Sequence, residues 1–165
     1  ATWACAAHTG PVYLRLGKAG EPDLTATAAE PFVFGKVRLI KDGRKVCIIS
    51  YGPILKMASD LASEIENHTG ESVALVSAHT LKPLDKTGIL DILKTFETVV
   101  VVEEHSTHGG LGTKVKELAW DSQASTKLHT FGMKDEFLHF FGSQAEMWKL
   151  HGLSINDIKA DVQKS

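Results

Sequence analysis

The sequence predicts an α/β domain of three layers, helices on both faces of a five-stranded, mostly parallel sheet whose first strand runs antiparallel. Three observations predict it. Residues 99–102 are four valines without polar alternation, as in a central parallel strand buried on both faces. Other apolar, β-rich runs at 45–50, 73–76 and 127–131 alternate with stretches of helical period. The pair Asp42-Gly43 separates the run at 37–40 from that at 45–50, the signature of a hairpin.

Composition bounds what such a domain can do. The chain has 165 residues, 43% hydrophobic and 23% charged, enough for one ordinary core with a piece of a neighbouring domain. A formal net charge of −2 provides no footprint for nucleic acid or an anionic membrane. No apolar run approaches a membrane span, and the opening ATWACAAH is not a signal peptide. Cys5 and Cys47 lack metal-ligand spacing, and Cys47 sits in a strand pattern, where it reads as a small buried hydrophobe. The expected setting is reducing and cytoplasmic.

In chain order, residues 1–9 look like the tail of a helix, broken by Gly10-Pro11, and 12–16 (VYLRL) like a short strand. Residues 17–35 lose periodicity and read as an interdomain connector, so the chain is expected to begin inside one domain and cross into another. After the hairpin, Pro53 suits a helix start; Ile54, Ala58, Leu61 and Ile65 share one face, and Gly70 ends it. The strand at 73–76 leads into a loop at 79–85 stiffened by Pro83, then a helix marked by Ile89, Leu93 and Phe96. The valine strand follows, expected to stop at Glu103-Glu104 and enter a glycine-rich turn. Leu111, Val115 and Leu118 mark the next helix. A fifth strand at 127–131, a loop carrying Phe137, Phe140 and Phe141, and a short helix at 145–150 come next. Ser154, with Asp157 three residues on, caps a last helix with Ile155, Ile158 and Val162 as its stripe.

Chemistry is sparse. The turn Glu104, His105, Gly109, Gly110, Gly112 joins a strand to a helix N-terminus at the carboxyl edge, where ligands or partner chains dock. A dinucleotide fingerprint fails there, because its third glycine falls on Val115. His105 and His108 with Glu103 and Glu104 lack a further ligand at metal-site spacing; they read as polar groups that satisfy the turn or face a partner. Ser50 and Gly52 end a strand before a helix, which allows a weak anion site, but no nucleophile elbow surrounds Ser50. The residues alone specify no catalytic constellation and no metal.

Several motifs, in order, resemble the carboxyl-terminal third of the transketolase family. These are GPVYLRLGK (10–18), FGKVRLIKDGRKVCIISYG (34–52), SAHTLKPLD (77–85), VVVVEEHSTHGGLGTKV (99–115), FGMKDEF (131–137) and HGLSINDI (151–158). The resemblance implies that residues 1–31 are the end of a pyrimidine-binding domain with its linker, and 32–165 a C-terminal domain. It implies part of an enzyme that moves a two-carbon ketol unit between sugar phosphates with thiamine diphosphate and a divalent metal, usually magnesium. This piece would serve assembly and dimerisation with the amino-terminal remainder, binding no cofactor alone. Its metal-diphosphate motif Gly-Asp-Gly is not matched, since the one Asp-Gly follows Lys41. Lys18 stands where the family places a basic residue for substrate phosphate; Lys offers a point charge without the fork of Arg. Arg15 is expected to orient neighbouring carboxylates. Deoxyxylulose-phosphate synthases and beta subunits of 2-oxoacid dehydrogenases share the layout, and the residues leave open a stand-alone regulatory or anion- or nucleotide-binding module.

Overall fold

The computed structural model describes residues 1–17, 20–25 and 30–164. Strands β1 (Arg38–Lys41), β2 (Val46–Ser50), β3 (Val73–Ser77), β4 (Thr98–Ser106) and β5 (Lys127–Met133) form one sheet in the order β1-β3-β2-β4-β5. β2 lies parallel to β3 and β4, and β4 parallel to β5; β1 is antiparallel on the edge. Helices α1 (Thr2–Ala7), α2 (Leu55–Thr69), α3 (Lys86–Thr95), α4 (Leu111–Asp121), α5 (Gln144–Leu150) and α6 (Ile155–Gln163), with a 3-10 turn at Gly52–Ile54 leading into α2, complete the described elements.

Strand alternation divides the core in two. Ile48, Leu75, Val100 and Val102 pack beneath Ala58, Leu61 and Ile65 of α2, Trp148 of α5 and Ile158 of α6. Cys47, Ile49, Val99 and Val101 face the other way, onto Ile89 and Leu93 of α3 and Leu111 and Val115 of α4. These are the three layers the periodicity demands, since a strand buried on both faces must be apolar throughout. Cys47 is fully buried, and burial pushes its thiol up to about 12.

Local chemistry sets the ends. Gly70 closes α2 in the left-handed region at φ 72°, donating its N–H to Glu66 O. Ser154 accepts from the Asp157 N–H and caps α6. Asp85 caps α3 by accepting from Gly88 N (3.2 Å), and also accepts from Val37 N (3.1 Å) and Lys36 Nζ (3.2 Å). Burial alone would raise this carboxyl's pKa. The two amides and the ammonium outweigh burial and hold it below the ordinary range. The loop before α3 thereby ties α3 to the first strand.

Two expectations are corrected. β1 and β2 are not a hairpin: β1 pairs with β3, while β2 takes the central place between β3 and β4. The Asp42-Gly43 link instead crosses the start of β3, where Arg44 N donates to Ser72 O. A Cβ at Gly43 would lie 2.0 Å from Ala74 N, so backbone proximity calls for this glycine. β2 is buried throughout most of its length and gains more between two parallel neighbours than at an edge; β1 remains antiparallel because β3 runs with β2. Residues 12–16 form no strand, for among the described residues none offers them a ladder, and Tyr13 and Leu16 stand in solvent.

Candidate functional site: the carboxyl edge of the sheet

Among the parallel strands, β2 is flanked by the strand that follows it and by the next one, which puts the switch point of the winding between β2 and β4. Ligands of doubly wound sheets bind in the crevice above such a point. Here the loop after β2 and the turn after β4 bound it, and the chain fills it with its own side chain. β4 runs on to Ser106 rather than stopping at the acids. Glu103 therefore keeps the parity of Val99 and Val101 and points to the α4 layer, only 3% exposed. Its two oxygens accept from Leu111 N and Gly112 N, each at 2.7 Å. The Tyr51 hydroxyl donates to Oε2 at 3.3 Å, and burial with the adjoining Glu103 charge pushes the Tyr51 pKa up.

This is the geometry of an anion on a helix N-terminus, with the anion supplied internally. The N-cap Gly110 has no side chain to cap α4, and its bareness makes room for the carboxylate. A Cβ there would lie 2.3 Å from Glu103 Oε2. The amides of Leu111 and Gly112 at this helix N-terminus are thus taken, and Gly109 N donates to Thr113 Oγ1 at 3.0 Å.

Glu104 has the opposite parity and faces the other layer. Its Oε1 accepts from Gln144 Nε2 at 2.9 Å, and Arg15 Nη2 lies 3.9 Å from Oε2. Arg15 thus meets a carboxylate, as expected from its place in the sequence. His105 is exposed, its Nδ1 2.9 Å from Ser106 O; His108 is exposed too, 3.9 Å from Asp135. Among the described residues no group of three or more His, Cys, Asp or Glu could hold a metal ion. Lys18 lies outside the described residues. The structure therefore gathers Glu104, His105, Gly109, Gly110 and Gly112 at one edge and adds two residues that sequence reasoning missed in this role, the inward Glu103 and Tyr51. A signal existed: the helix after Gly110 lacks a Ser, Thr, Asp or Asn at its cap, so an acceptor had to come from elsewhere.

Fold and edge together define a doubly wound α/β domain whose switch-point crevice is closed by its own carboxylate. Residues 35–158 match the model of the transketolase C-terminal domain, and the chain belongs to that family. It is 30% identical over 135 residues to a 1-deoxy-D-xylulose-5-phosphate synthase of Bacteroides thetaiotaomicron, covering 82% of this chain and 21% of the synthase. A transketolase family protein of Sinorhizobium fredii is 32% identical over 163 residues, 98% of this chain and 47% of that one. A split-gene transketolase solved as an inactive β4 tetramer superposes with a TM-score of 0.81 at 30% identity, covering 94% of this chain and 50% of that one. The chain thus spans about half or less of the proteins it matches.

Proposed function

We propose that this chain is the C-terminal part of a transketolase-like enzyme that transfers a two-carbon ketol unit between sugar phosphates, and that it contributes assembly rather than chemistry. Residues 1–31 are then the end of the pyrimidine-binding domain with its linker, and 32–165 the C-terminal domain. The observation that carries the reading is the rim of the carboxyl edge. Its helix N-terminus is closed by Glu103. Phe137, Phe140 and Phe141, on the loop tied to the turn through the Gln144–Glu104 bond, stand 93%, 66% and 106% exposed. Exposed apolar rings on this rim suit a covering chain. The chain that covers it is the amino-terminal remainder, in a cytoplasmic homodimer. That the related split-gene β chain is an inactive tetramer supports a division of labour between two halves.

Thiamine diphosphate and its divalent metal belong to that other half. The residues here do not fit the group. Asp42, of the chain's Asp-Gly pair, accepts its neighbour's N–H at 2.8 Å, and the pair is pressed against β3. Lys18 is the one residue proposed to reach substrate phosphate.

Mixing this chain with the amino-terminal remainder and assaying ketol transfer, with and without thiamine diphosphate, tests the reading. Activity is expected only with both parts and the cofactor. Turnover by this chain alone, or none in the mixture, would overturn it. The similarity to deoxyxylulose-phosphate synthase supports a second reading, and that reaction run in parallel decides between the two.

A further inference from the structure

The two edges of the sheet are finished differently. β1 is four residues long, its register against β3 shifts between Leu39 and Lys41, and Leu39 N already donates to Glu30 Oε2 at 2.7 Å. A short, broken and covered edge offers no template to another strand. β5 runs seven residues, Lys127–Met133, without proline. Lys127 N donates to Glu97 O (2.9 Å) and Met133 O accepts from Thr107 N (3.0 Å), so the odd-numbered residues of β5 bond toward β4. In a parallel ladder the alternate residues bond the other way. Leu128, Thr130 and Gly132 therefore turn their N–H and C=O groups outward, where no strand or side chain among the described residues meets them.

A groove of about 600 Å³ runs along this edge on the α4 side, lined by Lys116, Ala119, Trp120, Gln123, Ala124 and Leu128. Gln123, at φ 52°, turns the chain back so that Ala124 N donates to Ala119 O (2.9 Å), which fixes the end of α4 beside the strand. Trp120 stands there 84% exposed. An indole left in water beside an unpaired strand marks a surface that another chain completes.

The sequence of β5 points to which chain. Paired antiparallel with a copy of itself about a two-fold axis at Thr130, its outward residues meet outward residues. Thr130 faces the partner's Thr130, and Leu128 faces the partner's Gly132, for about six hydrogen bonds. No charge meets a like charge, since Lys127 falls opposite the partner's Met133. On the other face His129 meets the partner's Phe131, a ring pair that already stacks within one chain at 6.4 Å. An axis at His129 would set two imidazoles against each other, and one at Phe131 would run Leu128 past the end of the partner's strand. Beside Leu128, the bare Cα of the partner's Gly132 leaves room for Trp120 to close over the seam.

We propose that the free edge of β5, with the groove at Trp120, is a docking surface for a second copy of this chain, joined antiparallel about Thr130 so that the two sheets run on as one. The seam lies at the flank of the sheet, whereas the amino-terminal remainder is assigned to the carboxyl-edge rim. Either contact can therefore fail without the other.

Sedimentation equilibrium of the 165-residue chain should show a monomer–dimer equilibrium with a Kd below about 100 µM. Thr130→Pro removes the outward N–H at the axis without breaking a bond to β4, and should raise Kd roughly tenfold or more. Trp120→Lys should raise it several-fold; its exposed site tolerates the change, so the test survives if Thr130→Pro unfolds. Register is read separately by oxidation with oxidised glutathione in a Cys5→Ser background. Thr130→Cys should cross-link to its copy, because the Cα atoms of such a pair lie about 5.5 Å apart. Ser125→Cys, roughly 30 Å from its copy in this register, should not. A chain that stays monomeric at about 1 mM would overturn the proposal. So would a Kd unmoved by the variants that fold, or cross-linking at Thr130→Cys no stronger than at Ser125→Cys. Amides at 128–132 that shift only when the amino-terminal remainder is added would give the edge to that part and overturn it equally.

Discussion

Removing the internal anion should be costly, and the geometry sets the size. Glu103→Ala leaves the amides of Leu111 and Gly112, now bonded at 2.7 Å in a buried site, without acceptors. Each unsatisfied buried donor costs about 1–3 kcal/mol, so the variant should lose roughly 2–6 kcal/mol. That is a large part of the ~5–15 kcal/mol that holds an ordinary domain together. Glu103→Gln keeps one oxygen for one amide but turns an NH₂ toward the other, and should lose about half as much. Gly110→Ala should resemble Glu103→Ala, because its Cβ would sit 2.3 Å from the carboxylate and expel it. The two changes remove the same interaction, so the double variant should cost little more than the worse single one. Urea unfolding followed by circular dichroism measures all four. A Glu103→Ala variant within about 0.5 kcal/mol of the parent, or additive losses in the double variant, would refute the reasoning.

Three further outcomes follow from named contacts. Asp85 has a depressed pKa in the folded state, so its stabilisation is complete above the ordinary carboxyl value of about 4 and is lost as pH falls through the lower folded value. Asp85→Asn should therefore be less stable than the parent at pH 7 and show a flatter acid limb; parallel urea midpoints from pH 7 to 3 would contradict this. Cys47, its thiol pushed up to about 12 by burial, should react with a thiol reagent only as fast as the chain opens, while the half-buried Cys5 reacts first. Equal rates in the native protein would count against that burial. His105→Glu, at an exposed position on the rim, should weaken association with the amino-terminal remainder in sedimentation while leaving the melting temperature of this chain within about a degree; the same charge at Gly110 would instead break the fold.

The sequence by itself determined the layers. Four valines in a row have no polar face to offer water, so residues 99–102 had to lie inside a sheet covered on both sides, and the helical stripes of α2, α3 and α4 named what covers them. The caps at Ser154 and Gly70 were equally local, because a hydroxyl three residues from an N–H, or a glycine free to take positive φ, needs no distant partner. Tertiary structure decided the rest. Asp42-Gly43 looks like a hairpin turn, yet β1 pairs with β3, since which strand occupies a central slot depends on the burial of β2 against both β3 and β4. Glu103 and Glu104 are neighbours in sequence and look alike. Continuation of β4 by a few residues sends one into the helix N-terminus and the other to Arg15 and Gln144. The polar row that Arg38, Ser77 and Ser50 form across the sheet was invisible for the same reason. Its members come from three strands, and only lateral register, fixed by packing of the whole sheet, sets them side by side.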